Sequence, residues 1–173
     1  MLTKNQENYL RTIPEQKIIE VKPFNPKAKE VGDSIVWSIK NKLPNMEVLF
    51  MSATALGIAG QNDIDLNVLS KPSEYNKYLS LLMELFGEPS QSNPNLVKWE
   101  FIKDGFEVEL YLTDRDSPLL QEQIRTFNIL KNNSELTKKY ERIKMECNGL
   151  PFREYMRRKY EFFNEVLEIN DKN

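Results

Sequence analysis

Apolar residues recur every four positions at Val31, Ile35, Ile39 and Leu43, the spacing of one helix face, and the pattern stops at Pro44. Asn25-Pro26 ahead of it reads as an N-cap followed by proline at the first helical position. Such a stripe predicts burial against a sheet. The period then changes to two. Met46 to Met51 and Asp63 to Leu69 read as strands, separated by a run of mostly small residues from Ser52 to Asn62. Lys71-Pro72 opens a second amphipathic helix carrying Tyr75, Tyr78, Leu79, Leu82 and Leu85, which Gly87 and Pro89 end. Leu96 to Ile102 and Phe106 to Leu112, joined by Lys103-Asp104-Gly105, form the pattern of a β-hairpin.

Beyond Asp116 the period is helical throughout. Ser117-Pro118 starts one helix, Ser134 is the expected cap of a second that Gly149 ends, and Pro151 starts a third. That last helix carries Phe152, Tyr155, Met156, Phe162, Phe163, Val166 and Leu167 at three- and four-residue spacing. Residues 1–24 are polar and broken by Pro14 and Pro23, and read as an irregular arm in which Lys17 to Val21 could add a short strand. The expected organisation is one domain: the arm at 1–24, an α/β core at 25–115, and a helical segment at 116–173 packed on it. The fold class is mixed α/β (α+β), with a mixed sheet of about four or five strands, helices outside it and a C-terminal helical part.

Composition narrows the chemistry. The chain has 173 residues, 40% of them hydrophobic, which is enough for a real core, and no repeat or low-complexity linker. It contains no histidine and one cysteine, Cys147. Histidine-dependent nucleophilic triads are therefore excluded, and a zinc site cannot be assembled within one chain. Enzymatic chemistry would have to rest on carboxylates, lysine, arginine or hydroxyls, a set suited to hard cations bound through oxygen. The formal charge of -2 does not favour binding to nucleic acid or anionic membranes by net charge. No stretch is long and apolar enough to span a bilayer, and a lone cysteine without a leader implies a reducing cytoplasm.

The sharpest local signal is Asp63-Ile64-Asp65-Leu66. On a strand, residues two apart share a face, so the two carboxylates lie side by side while Ile64 and Leu66 face the core. Adjacent like charges are unfavourable unless a cation lies between them. A magnesium ion, or manganese in its place, meets that need, since it accepts one or two carboxylates and completes its shell with water and phosphate oxygens. On a later strand Glu107 and Glu109 alternate with Val108 and Leu110, which gives two further carboxylates on one face. The same alternation is what any half-exposed strand shows.

A small-residue turn after one strand, with Asp-x-Asp on the next, is similar to the layout of the nucleotidyltransferase superfamily. The run from Ser52 to Leu66 resembles more closely the signature of the GrpB-like family, which has a nucleotidyltransferase fold. Ile124 to Leu130 with Glu135-Leu136, Tyr140 and Lys144 is similar to that family's helix after the sheet. Tyr155 with Lys159 and Phe162-Phe163 is similar to its C-terminal pattern, so the resemblance runs from about residue 28 to the end.

The resemblance implies a role for each position. Asp63 and Asp65 hold magnesium bridging a nucleoside triphosphate, and Glu109, with Glu107 as the other candidate, supplies the third carboxylate and the acceptor side. Ser52, Ala53 and Thr54 present the turn to the phosphates, and Lys159, with Arg125 second, faces them from the helices. The activity implied is transfer of a nucleoside monophosphate to an acceptor, either a small molecule or a protein. This chain departs from the family pattern at the leading glycine, where Met51 or Ser52 stands. It also lacks the histidines, with Leu49 or Phe50 before the turn and Glu109 on the later strand, and has Gln61 in place of the usual lysine. These departures favour the alternative, a catalytically degenerate module that binds nucleotide or a protein partner. A nucleic-acid-binding role has only Arg153, Arg157, Arg158 and Lys159 behind it, without an aromatic stripe. Trp37, Trp99, Tyr75 and Tyr78 are expected to pack structurally, and Cys147 to be an unreactive thiol.

Overall fold

The computed structural model describes residues 1–171. A five-stranded sheet is built from β1 (Glu47–Phe50), β2 (Ile64–Ser70), β3 (Gln91–Asn93), β4 (Leu96–Lys103) and β5 (Phe106–Asp114) in the order β1-β2-β5-β4-β3. The central pair β2 and β5 is parallel and the other pairings are antiparallel, so the sheet is mixed. The hairpin between β4 and β5 turns on Asp104 and Gly105, both at positive φ (51° and 85°), the conformation required of a two-residue turn that matches strand twist.

Alternation gives the sheet two unlike faces. Val48, Ile64, Leu66, Val68, Val97, Trp99, Val108, Leu110 and Leu112 are buried on one of them. They pack against α2 (Pro26–Lys42) through Val31, Ile35 and Ile39, and against α4 (Tyr75–Phe86) through Tyr75 and Leu82. The helix stripe and the strand period thus describe the same core from its two sides. Asn25 caps α2 by accepting from the Lys27 N–H, and Pro26 occupies its first turn. A short 3-10 turn at Pro72–Glu74 precedes α4, which Gly87 closes at φ 79°. The indole of Trp99 donates to the Gly87 carbonyl at 2.8 Å, and the buried Tyr75 hydroxyl donates to Asn95 at 2.9 Å, so both aromatics have satisfied polar ends.

Helices α5 (Pro118–Asn132), α6 (Ser134–Glu146) and α7 (Phe152–Asp171) follow the sheet. Leu130, Tyr140, Phe162 and Val166 from these helices pack on Ala53 and Ile58 in the connection between β1 and β2. The N-terminal segment closes the other side of the helical part, with Leu10, Ile13 and Ile19 buried against Cys147, Tyr155 and Met156.

Several details differ from the sequence expectations. Residues Lys4–Thr12 form a helix, α1, closed by a capping box between Thr3 and Gln6. Its polarity hid it, because only Leu10 on it is buried. Lys17 to Val21 form no strand; single bridges join Ile18 to Pro151 and Lys22 to Gly60. The small-residue turn contains a four-residue helix, α3 (Ala53–Leu56), and the edge strand β3 was not expected. Asn133, not Ser134, caps α6, accepting from the Leu136 N–H at 3.1 Å. Trp37 is 68% exposed on α2 and does not pack in the core. Cys147 is buried, and burial holds its thiol above the ordinary range, in keeping with an inert side chain.

Candidate functional site

The second face of the sheet is polar and half-buried. The parallel register places Asp65 of β2 opposite Glu109 of β5, and because partners in register point to the same side, the two carboxylates share that face. Asn67 and Tyr111 lie one step further along the same pair. Glu109 is thus the candidate in register with Asp65, whereas Glu107 pairs with Ile102 near the hairpin and is exposed.

Asp63 stands just before β2, and its backbone is held from both sides. Asn62 adopts φ 58°, a left-handed conformation that asparagine tolerates better than most residues. Its side chain ties the entry down, accepting from the Asn25 N–H and donating to the Pro23 carbonyl, each at 3.1 Å. From the other side the Ser52 hydroxyl donates to the Asp63 carbonyl at 3.2 Å and accepts from the Ala55 N–H, capping α3. The Met51 N–H donates to the Asp65 carbonyl at 3.0 Å. The turn and the acidic strand therefore form one hydrogen-bonded unit.

That packing changes how the turn can act. Ser52, Ala53 and Thr54 are all buried, and the Thr54 hydroxyl has no hydrogen-bond partner. The three side chains support the turn more than they line an open surface. Gly60 permits the closest approach in this region: a Cβ there would lie 2.8 Å from Ala53 Cβ and 3.2 Å from Lys144 Cε.

Two cations of the helical part lie within electrostatic range of Asp65. Burial pushes the Asp65 carboxyl up to about 8, the carboxylates of Asp63 and Glu109 add to the rise, and the ammonium groups of Lys159 and Lys144 oppose it. Burial on its own would lower the Lys159 ammonium, but Tyr155 and Asp65 outweigh it and hold it above its ordinary value. Lys144, only 4% exposed, donates to the Tyr155 hydroxyl at 2.7 Å, and that hydroxyl lies 3.3 Å from the Tyr140 hydroxyl. Burial would raise the Tyr155 phenol, yet Lys159 and Lys144 outweigh it and hold it below its ordinary value. Tyr140, with burial as the main cause and Tyr155 beside it, is held well above.

Glu109 has a different set of partners. One carboxylate oxygen accepts from the Lys98 ammonium at 2.9 Å and the other from the Tyr111 hydroxyl. Lys98 also donates to Glu100 at 2.7 Å. Burial alone would lower the Lys98 ammonium, but the hydrogen bonds to Glu100 and Glu109 outweigh it and hold it above its ordinary value. Among the described residues, no three acidic or cysteine side chains are grouped to share one metal ion. Arg125 lies on α5 with Gln121, Ile124 and Asn128 around an open concavity of about 580 Å³.

Sequence reasoning named Asp63, Asp65, Glu109 and Lys159 but gave no site role to Lys144, Tyr155 or Lys98. A lysine on an otherwise polar helix carries no signal of burial, and neither does one in an alternating strand. Lys144 and Tyr155 do stand in the segments that resemble the family pattern, and that resemblance is the signal in the sequence that pointed to them.

Comparison with known proteins identifies the relationship. The family model of the GrpB protein matches residues 18–169. The chain belongs to the GrpB family. The match includes the turn, the acidic strand, β5 and all three C-terminal helices. No curated protein matches the chain. Among solved structures, the Cid1 poly(U) polymerase bound to MgGTP is similar at 19% identity and a TM-score of 0.38, over 82% of this chain and 48% of that one. A cytoplasmic RNA terminal U-transferase is similar at 17% identity and a TM-score of 0.39, over 82% of this chain and 45% of that one. This GrpB-family chain thus spans about half the length of the solved structures it matches. No helix among its described residues is long and apolar enough to cross a membrane.

Proposed function

We propose that this GrpB-family protein binds a nucleoside triphosphate together with a divalent cation and transfers its nucleoside monophosphate to an acceptor, a small molecule or a protein. The observation carrying the reading is the paired carboxylates of Asp63 and Asp65 opposite the ammonium groups of Lys144 and Lys159. Phosphates need the lysines, and the carboxylate pair needs a cation.

The donor set fits magnesium or manganese at the pair. Asp65 is driven above its ordinary range by burial and by the neighbouring carboxylates, and a cation held by Asp63 and Asp65 would relieve that excess of negative charge. Such an ion, when bound, supplies charge neutralisation and orientation of phosphate oxygens. Lys159 would hold the outer phosphates from α7, with the buried Lys144 of α6 adding positive charge behind it. Tyr155 keeps Lys144 in place through the 2.7 Å bond. Arg125 remains a secondary candidate from α5. The single buried cysteine agrees with residence in a reducing cytoplasm.

Binding without transfer is the second reading. It is favoured by Glu109, whose two oxygens are engaged by Lys98 and Tyr111, and by the buried turn, where Met51 or Ser52 replaces the glycine of the family pattern.

Thermal unfolding with magnesium or manganese and each nucleoside triphosphate tests for binding, and pyrophosphate release with mass spectrometry tests for transfer. Stabilisation that D63A and D65A abolish, accompanied by pyrophosphate, supports the transferase. The same stabilisation without pyrophosphate or modified product selects the binding module. No stabilisation by any triphosphate refutes both.

A further inference from the structure

The polar sheet face carries a second group of charges beside the acidic pair, centred on Lys98. Lys98 lies on β4 opposite Tyr111 and reaches along the face to two carboxylates that are themselves cross-strand partners, Glu100 and Glu109. Its Nζ is 2.7 Å from Glu100 and 2.9 Å from Glu109, and 5.4 Å from the centre of the Tyr111 ring. Its side chain is only 16% exposed, whereas those of Glu100 and Glu109 are 52% and 41% exposed, so the lysine is held in place while the carboxylates remain open to solvent on one side.

Glu109 is also the register partner of Asp65, and neighbouring strands lie about 4.8 Å apart. From backbone position alone it could share a cation with Asp65. Its side chain is turned to other partners: one oxygen accepts from Lys98 and the other from Tyr111. Any cation approaching Glu109 would also meet the ammonium of Lys98 at contact range, so the same residue engages the ligand and repels the ion.

We infer that Lys98 is a built-in cation that withdraws Glu109 from the acidic site, so that the site takes a single divalent ion at Asp63 and Asp65 and none at Glu109. The single-ion part rests on the proposed function; the exclusion at Glu109 stands on the Lys98 geometry. Lys98 and Tyr111 are therefore positioning residues acting through Glu109. Removal of the Lys98 charge should free the Glu109 carboxylate opposite Asp65 and so create a site for a second ion there.

The test is a Mn2+ titration of the whole chain, followed by electron paramagnetic resonance of the free ion, with circular dichroism to confirm folding. The expected result is one Mn2+ for wild type and for K98R, and two for K98M, with the second bound at least tenfold more tightly than any second ion in wild type. The extra ion should be lost in K98M/E109Q and kept in K98M/E100Q. K98Q, which keeps a neutral polar head, gives the same comparison if K98M does not fold. Two ions bound to wild type, no gain in folded K98M or K98Q, or a gain that survives E109Q would each overturn the inference. The two readings fail separately. Wild type binding no ion while K98M gains one through Glu109 would refute the Asp63/Asp65 cation and leave the role of Lys98 standing. A wild-type ion lost in D63A, with no gain in K98M, would do the reverse.

Discussion

Replacing Tyr155 with phenylalanine removes one oxygen from the buried group that fixes Lys144, and the structure sets the size of the effect. Lys144 is 4% exposed and Tyr155 2%, so water does not readily replace the lost partner. The bond from the ammonium to the hydroxyl is 2.7 Å, a charge-assisted hydrogen bond of the class worth about 1.5–3 kcal/mol. Y155F also deprives Tyr140 of its neighbour at 3.3 Å. The expected cost is about 2–3 kcal/mol, or roughly 4–12 °C in Tm for a domain of this size. K144M should cost less, because it removes the buried charge together with its need for a partner and leaves the two tyrosine hydroxyls paired. The double variant should then cost less than the sum, with a coupling of about 1–2 kcal/mol. Urea unfolding of the four proteins at one pH gives all the terms. A Y155F midpoint within about 0.5 kcal/mol of wild type, or a strictly additive cycle, would refute the reasoning and mean that Lys144 finds another partner.

Other expectations follow from the same geometry. The Asp65 carboxyl sits at about 8 in the folded chain and at its ordinary 3.8 when unfolded. The folded state therefore retains a proton that the unfolded state has released. Its contribution is complete below the unfolded value and is lost as pH rises through the folded one, so wild type should weaken between about pH 4 and pH 8 relative to D65N. Urea midpoints of both proteins at pH 5 and pH 8 check this, and an unchanged difference would count against it. G60A should cost about 1–3 kcal/mol, because the added Cβ falls 2.8 Å from Ala53 Cβ and 3.2 Å from Lys144 Cε; chemical denaturation measures it, and a neutral result would mean that α3 and α6 can separate. L82A, at a fully buried position between α4 and the sheet, should cost about 2–5 kcal/mol, and a loss below about 1 kcal/mol would mean that the core collapses around the cavity.

Much of the fold was legible because burial imposes a period. The stripe Val31, Ile35 and Ile39 and the alternation through Ile64, Leu66, Val68, Val108, Leu110 and Leu112 are the two sides of one core, and each is local in sequence. Caps and turns were legible where their chemistry is specific, as at Asn25-Pro26, Asp104-Gly105 and Ser117-Pro118. The helix α1 escaped notice because a polar segment with one buried leucine has almost no apolar period, although its Thr3 and Gln6 capping box was there to read. Trp37, expected to pack structurally, stands off the stripe of Val31, Ile35 and Ile39 and lies on the exposed side of α2.

The sequence by itself determined that Asp65 shares a face of β2 with Asn67 while Ile64 and Leu66 turn to the core, since a strand alternates with period two whatever surrounds it; Asp63, just before the strand, lies outside that rule. The sequence also determined that no histidine of this chain takes part in its chemistry. Tertiary structure decided which charges those carboxylates meet. Lys144 and Lys159, from two helices, act electrostatically on Asp65, Glu109 stands opposite Asp65 through a parallel register, and Lys98 of a neighbouring strand engages Glu109. Periodicity depends on neighbours in the chain, whereas the charge balance of a site depends on distances of a few ångströms between residues far apart in it, and only the packed molecule sets those distances.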